Sequence, residues 1–347
     1  MVRRRWNGRK KKRSGAAGGA IKATLLLAAL AAAGAAWLIL TPYGPETETF
    51  VEIEPGSSTL AIGQKLEAAG VVRSQFAFDL LRWIKRGKLM AGEYRFDHPA
   101  PVTEVYARIS RGDVHTVSLT VPEGANIFDI AARVESAGLG TREQFLDAAK
   151  HETGLVADLD PTAKSLEGYL FPDTYRFARN VKSRQIVGAM VRRFREEAGQ
   201  LGLKEDVHLV VTIASLVERE TAVNEERPLV ASVLLNRLAK KMPLMTDPAV
   251  IYGLERENLW RGTLYESDLK RKTAYNTYLN PGLPPGPISN PGIHSLRAAK
   301  DPARTDYLYF VAAGADAQGR SLFESTLDDH NRDVALYRRA MKKAGMR

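Results

Sequence analysis

The rhythm of apolar and polar positions changes several times along the chain. An uncharged run from Ala23 to Leu40 comes first, closed by Thr41-Pro42. At 1.5 Å per residue it covers roughly 27 Å, close to the hydrocarbon thickness of a bilayer. Alternation over 50–54 predicts a strand. Pro55-Gly56-Ser57-Ser58 then turns the chain into a helix with Thr59, Leu60, Ile62, Leu66 and Ala69 on its apolar side, and Gly70 stops it. A second helix over 75–86 and a returning strand over 88–96 follow. The pattern recurs 68 residues later. Gly56, Leu60, Ile62, Leu66, Glu67, Ala69 and Gly70 line up with Gly124, Phe128, Ile130, Val134, Glu135, Ala137 and Gly138, behind an alternating strand at 117–121.

From about Ser165 the pattern loosens. Residues 171–177 form an extended aromatic stretch, helices are expected over 186–197, 209–220 and 227–240, a buried strand over 305–312, and a closing helix over 327–344. Helices and strands mix without a βαβ repeat, so the predicted class is α+β. The expected organisation is a basic tail at 1–20, a transmembrane helix at 21–41, a small α/β module at 46–115 and a mixed α+β domain at 116–347. Within that domain, 116–160 repeats the strand–helix–helix unit.

Charge sharpens the reading of the N-terminus. The net charge is +10, yet residues 1–22 hold nine Lys or Arg and no acid. Subtracting those nine leaves +1 for the other 325 residues. With a nearly neutral body, nucleic-acid binding loses its electrostatic support except in the short tail. The positive-inside rule places the tail in the cytoplasm and everything beyond residue 42 outside it. The Ala-rich run also fits a cleaved signal peptide, but its length, with Trp37 near the far end, favours an uncleaved anchor. The chain has no cysteine, which excludes disulfides, thiol nucleophiles and Cys-based metal sites. No metal cluster or phosphate loop is expected, and no cofactor.

The most informative segment is 209–221, LVVTIASLVERET. Its first nine residues are uncharged, which marks a helix buried on most sides. Glu218 shares a face with Val211, Ala214 and Ser215. Glu220 is rotated about 200° away, toward Ile213, Leu216 and Val217. A carboxyl group at the mouth of such a helix loses water on several sides, and that favours the proton-donating form a general acid requires. The same pattern also fits a charged helix end meeting solvent.

The run 213–221 resembles the signature helix of the membrane-anchored endolytic murein transglycosylases, the YceG-like or MltG family. Matching segments follow in order at 230–238, 246–253, 274–278, 282–292, 306–311 and 330–331, so the likeness covers roughly residues 21–340. The first strand–helix–helix copy, more weakly, resembles the LysM family of peptidoglycan-binding folds.

The resemblance implies that Glu218 is the family's catalytic glutamate. It implies an endolytic cut between N-acetylmuramic acid and N-acetylglucosamine in nascent glycan strands, leaving 1,6-anhydromuramoyl ends and terminating polymerisation. Glu218 would protonate the bridging oxygen, then accept the proton of the muramoyl C6 hydroxyl as it attacks. Such a reaction needs no second carboxylate, and Asp247 reads as a helix cap. Candidate substrate contacts are Ser215, Asn236, Tyr275, Asn276, Tyr278 and Asn290, with the proline-rich segment 281–292 as a groove wall. His330 is assigned no chemistry. The expected setting is the inner membrane, with a cytoplasmic N-terminus and a periplasmic catalytic domain, glycan strands as substrate and peptidoglycan synthases as partners. A non-catalytic scaffold and a hydrolytic muramidase are the competing readings.

Overall fold

A computed structural model describes residues 15–314 and 319–343 of the chain. Most of the expected basic tail, and the last residues of the expected closing helix, lie outside these. The chain divides into two compact units, 1–116 and 117–347.

The first unit begins with α1 (Gly15–Leu40), whose stretch from Gly19 to Leu40 is long and apolar enough to cross a membrane. Its large apolar side chains face outward, with Leu25, Leu26 and Leu27 each more than 60% exposed. Such a surface is stable only in an apolar solvent. Next come β1 (Thr49–Ile53), α2 (Thr59–Ala68), α3 (Gln75–Lys85), β2 (Gly92–Phe96) and α4 (Val102–Arg111). Ser58 caps α2 by accepting from the Ala61 N–H. β1 and β2 pair antiparallel, with Val51 opposite Tyr94. The core joins Ile62 and Leu66 of α2 to Phe78 and Leu81 of α3 and to Val105 and Ile109 of α4.

The second unit opens with the repeated motif. It comprises β3 (Val117–Thr120), α5 (Ile127–Ser136) and α6 (Arg142–His151), and the chain returns through β4 (Thr174–Phe177), antiparallel to β3. The two copies stop their first helix alike: Gly70 and Gly138 both take positive φ, 68° and 69°, where a side chain would be strained. Beyond lie α7 (Ser183–Gln200), α8 (Val207–Glu220), α9 (Arg227–Ala239), α10 (Asp247–Arg256), α11 (Glu266–Leu269), α12 (Ile293–Lys300), the hairpin β5 (Tyr309–Ala312) and β6 (Ser321–Glu324), and α13 (Leu327–Lys343). Mixed α+β is the class, and the paired strands are antiparallel throughout.

α8 is the central element. Every residue from Val210 to Val217 is buried, so its propensity-poor β-branched residues are held by packing. Truncating one buried side chain of α8, as in Leu216→Ala, costs roughly 2–5 kcal/mol. One expectation changes here. The strand foreseen over 305–312 is shorter and only half-buried, because the carbonyls of Thr305, Tyr307 and Leu308 turn toward α9 and accept from Asn236 and Arg237.

Candidate active site

Glu218 lies on the face of α8 predicted from the sequence, and that face is covered. The proline-rich strap 281–292 runs across it. The Ile288 N–H donates to Ser215 Oγ (3.0 Å), Ser289 Oγ donates to the Ser215 carbonyl (3.1 Å), and the Gly292 N–H donates to Glu218 Oε2 (2.9 Å). Arg227, at the start of α9, donates to the same Oε2 at 2.8 Å and also to Ser295 Oγ on α12. The Glu218 and Arg227 side chains are only 5% and 6% exposed. Glu218 is therefore one half of a sealed ion pair joining α8, α9 and α12, where a lone acid above open space was expected. A buried pair of this kind is costly to break from either side.

Four of the expected substrate contacts are likewise consumed by the fold. Ser215 is fully buried and also donates to the Thr212 carbonyl. Asn236 gives its amide to the carbonyls of Thr305 and Tyr307. Asn276, with no exposed surface, donates to the Leu269 and Arg271 carbonyls and accepts from the Tyr278 N–H. Asn290 accepts from the Gly168 and Leu170 N–H groups and donates to the Ala125 carbonyl and to Glu167. These residues hold the strap and loops in place. The strap thus packs against α8 through residues 288–292, while its Pro285, Gly286 and Pro287 line a cavity of about 390 Å³. Gly168, at φ 88°, is required beneath it, since a Cβ there would lie 2.6 Å from Pro287.

The other side of α8 opens. Glu220, in its last turn, faces a cavity of about 290 Å³ with Arg237, Thr246, Asp247, Tyr278, Phe310 and His330 on its walls. Among the described residues none donates a hydrogen bond to the Glu220 carboxyl group. Burial, reinforced by the charge of Asp247 and opposed by that of Arg237, pushes it up to about 7. Asp247 was expected to cap a helix. Instead it is the first residue of α10, and its Oδ1 accepts a 2.6 Å hydrogen bond from the Tyr278 hydroxyl. That bond, after burial, holds the Tyr278 phenol well above its usual range.

Arg237 is pinned by donating to the carbonyls of Leu308 (2.7 Å) and Leu244 (2.8 Å), with Tyr309 5.2 Å from its guanidinium carbon. It contributes a fixed positive field rather than a mobile ligand. His330 stacks on Tyr309 and is pushed down by burial and by Arg237. The His330 ring therefore adds no positive charge to the cavity near neutral pH.

Tyr275 belongs elsewhere. It lines a second cavity, of about 390 Å³, with Asp160, His208, Arg256 and Thr273. There the His208 ring meets Asp160 at 2.7 Å, and the Tyr169 hydroxyl donates to the same carboxylate. Of the expected contact residues, only Tyr278 shares a cavity with a glutamate of α8. No group of three or more acids and histidines able to hold a metal occurs among the described residues.

A carboxyl group raised toward neutrality by burial, beside a second carboxylate and a phenol in a cavity at the end of a buried helix, is the arrangement an enzyme working by proton transfer requires. The family model of the YceG-like proteins matches residues 51–336, and the chain belongs to that family. A relative from Bacillus subtilis named endolytic murein transglycosylase is 33% identical over 322 residues, covering 86% of this chain and 88% of that protein. One of the same name from Streptococcus pneumoniae is 30% identical over 321 residues, covering 82% of this chain but 57% of the longer relative. The crystal structure of a yceG-like protein from Listeria monocytogenes superposes with a TM-score of 0.54 at 32% identity, covering 83% of this chain and 99% of that one.

Proposed function

We propose that this chain is an endolytic lytic transglycosylase of peptidoglycan, and that Glu220, not Glu218, is its acid/base. Membership of the YceG-like family and the relatives' shared name support the activity. The choice of glutamate rests on one observation. Glu220 is the acid of α8 that faces a cavity and sits near neutrality, whereas Glu218 is locked to Arg227.

Protonated Glu220 donates to the oxygen linking N-acetylmuramic acid to N-acetylglucosamine. Its carboxylate then takes the proton of the muramoyl C6 hydroxyl as that oxygen closes on the anomeric carbon. The bridging C–O bond breaks, an intramolecular C–O bond forms, and no water is consumed. Asp247, held by Tyr278, supplies negative charge to the cation-like transition state. The reading keeps the expected setting: α1 anchors the chain, the N-terminus is cytoplasmic and the second unit acts outside the membrane on nascent strands, near the synthases that make them. The LysM-like reading of the first unit remains a proposal of glycan contact.

Mass spectrometry of products from purified protein and glycan strands tests this. Anhydromuramoyl ends are expected from the natural chain and not from E220Q. The cavity's second carboxylate gives a hydrolytic muramidase its one foothold, since Asp247 is in a position to activate water. Reducing ends in place of anhydro ends would establish that reading. Undiminished anhydro products from E220Q, with their loss in a folded E218Q, would return the role to Glu218.

A further inference from the structure

Helix α3 carries two apolar faces, and the core of its unit uses one of them. Ala77, Phe78 and Leu81 are buried. On the other side Phe76, Leu80, Trp83 and Ile84 are 72%, 38%, 70% and 58% exposed. Their spacing of four, three and one residues stacks them on a single stripe. Four large apolar side chains in a row are more than scattered surface hydrophobes and mark a contact surface.

The place of α3 in its unit says which one. Arg73, two residues before α3, sits with its guanidinium carbon 4.5 Å from the ring centre of Trp37 and 4.9 Å from that of Tyr43. Trp37 lies in the last turn of the membrane-spanning α1, where aromatic residues mark the boundary between hydrocarbon and headgroups. Leu38 and Ile39, in the same turn, pack against the core that α3 helps to build, and α1 contacts both α3 and α4. Helix α3 therefore begins at the level where the anchor leaves the bilayer. Its charge fits that level too. Residues 73–88 hold Arg73, Arg82, Lys85, Arg86 and Lys88 against one acid, Asp79. Phe76 and Trp83 could stack on a sugar, but Leu80 and Ile84 in the same stripe offer it no hydrogen bonds, and the continuous apolar face with flanking cations matches a lipid interface better.

We propose that α3 is a membrane-surface helix. Its Phe76, Leu80, Trp83 and Ile84 face rests in the interfacial layer of the leaflet that α1 leaves, and its basic residues meet anionic phospholipid headgroups. The first unit is then laid against the bilayer rather than swinging freely from its anchor.

The absence of cysteine from the chain makes the test clean. Full-length F76C and I84C, and E67C on exposed α2 as a control, are labelled with an environment-sensitive fluorophore. Each is reconstituted into phosphatidylglycerol-containing vesicles with quenchers on the upper acyl chain. The probes at 76 and 84 are expected to lose about half their emission, with the probe at 67 nearly unaffected, as an interfacial helix requires. Reversing charge in K85E/R86E/K88E should weaken that quenching in anionic vesicles and leave it unchanged in zwitterionic ones. Three probes quenched alike by aqueous iodide and none by lipid would overturn the proposal. So would probes at 76 and 84 shielded from iodide yet untouched by lipid quenchers, since a protein partner would then cover the stripe. Retained glycan cleavage by the labelled chains shows that they are folded.

Discussion

Glu218 and Glu220 stand two residues apart on one helix, yet α8 gives them opposite surroundings. Toward the strap, Glu218 meets Arg227, the Gly292 N–H and a wall of small residues, and its charge is fully answered. Toward the cavity, Glu220 meets Asp247 and an arginine occupied elsewhere, and its charge is left partly unanswered. The first environment stabilises an ion and keeps water out. The second keeps a proton available and leaves room beside it. Burial with its charge left unanswered is what raises a carboxyl group toward neutrality, the state the proposed acid requires.

The largest effect that would break this comparison is on turnover. E220Q should lower kcat by on the order of 10²–10⁴, the range for removing a general acid, with unfolding curves still cooperative. Next comes stability on the other face. E218Q leaves Arg227 buried without a counter-charge and should cost about 3 kcal/mol or more in chemical denaturation. At a temperature where it is folded, E218Q should keep most of its activity. Equal loss of turnover in both variants would sink the distinction.

Linkage to pH sharpens it further. The folded-state value of Glu220, about 7, lies above its ordinary 4.5. Below about pH 4.5 both folded and unfolded chains hold the proton and the group is neutral to stability. As pH rises from there to about 7 the unfolded chain releases its proton first, so stability declines, and it levels off above 7. E220Q escapes that decline, and should match the natural chain at pH 4 yet exceed it at pH 8 by on the order of 2 kcal/mol, allowing for partial exposure. On the proposed mechanism the same proton governs the reaction. Activity should fall about tenfold per pH unit above roughly pH 7. The smallest shift in pH dependence belongs to D247N. Removing the charge that helps raise Glu220 should move this alkaline limb to lower pH, by less than about one unit. A limb that stays put or moves upward would remove Asp247 from the field around Glu220.

Much of the fold was legible because its signals are local. The strand–turn–helix repeat announces itself through turn residues, periodic apolar positions and glycines at helix stops, and each of these acts within a few residues of where it is read. The buried character of α8 was legible for the same reason. Which of its two acids does chemistry was not. Helical periodicity says that 218 and 220 point apart, but not which side is covered. The cover on Glu218 comes from residues 288–295 and from Arg227, and the cavity at Glu220 from positions 233 to 330, so both depend on how the chain folds back. The asparagines misled for a related reason. An amide in a loop reads as a ligand-binding group, yet Asn276 and Asn290 sit where buried backbone groups need partners. Asp247 was set aside because a position before proline reads as a cap, and only the approach of Tyr278 reveals its second setting.

The walls of the Glu220 cavity are drawn from a stretch reaching His330, late in a chain of 347 residues. Contacts so far apart in sequence form late, because the loops they close must be ordered first. The cavity beside Glu220 is therefore among the last features of its unit to take shape, after the local helix and hairpin contacts that supply its walls.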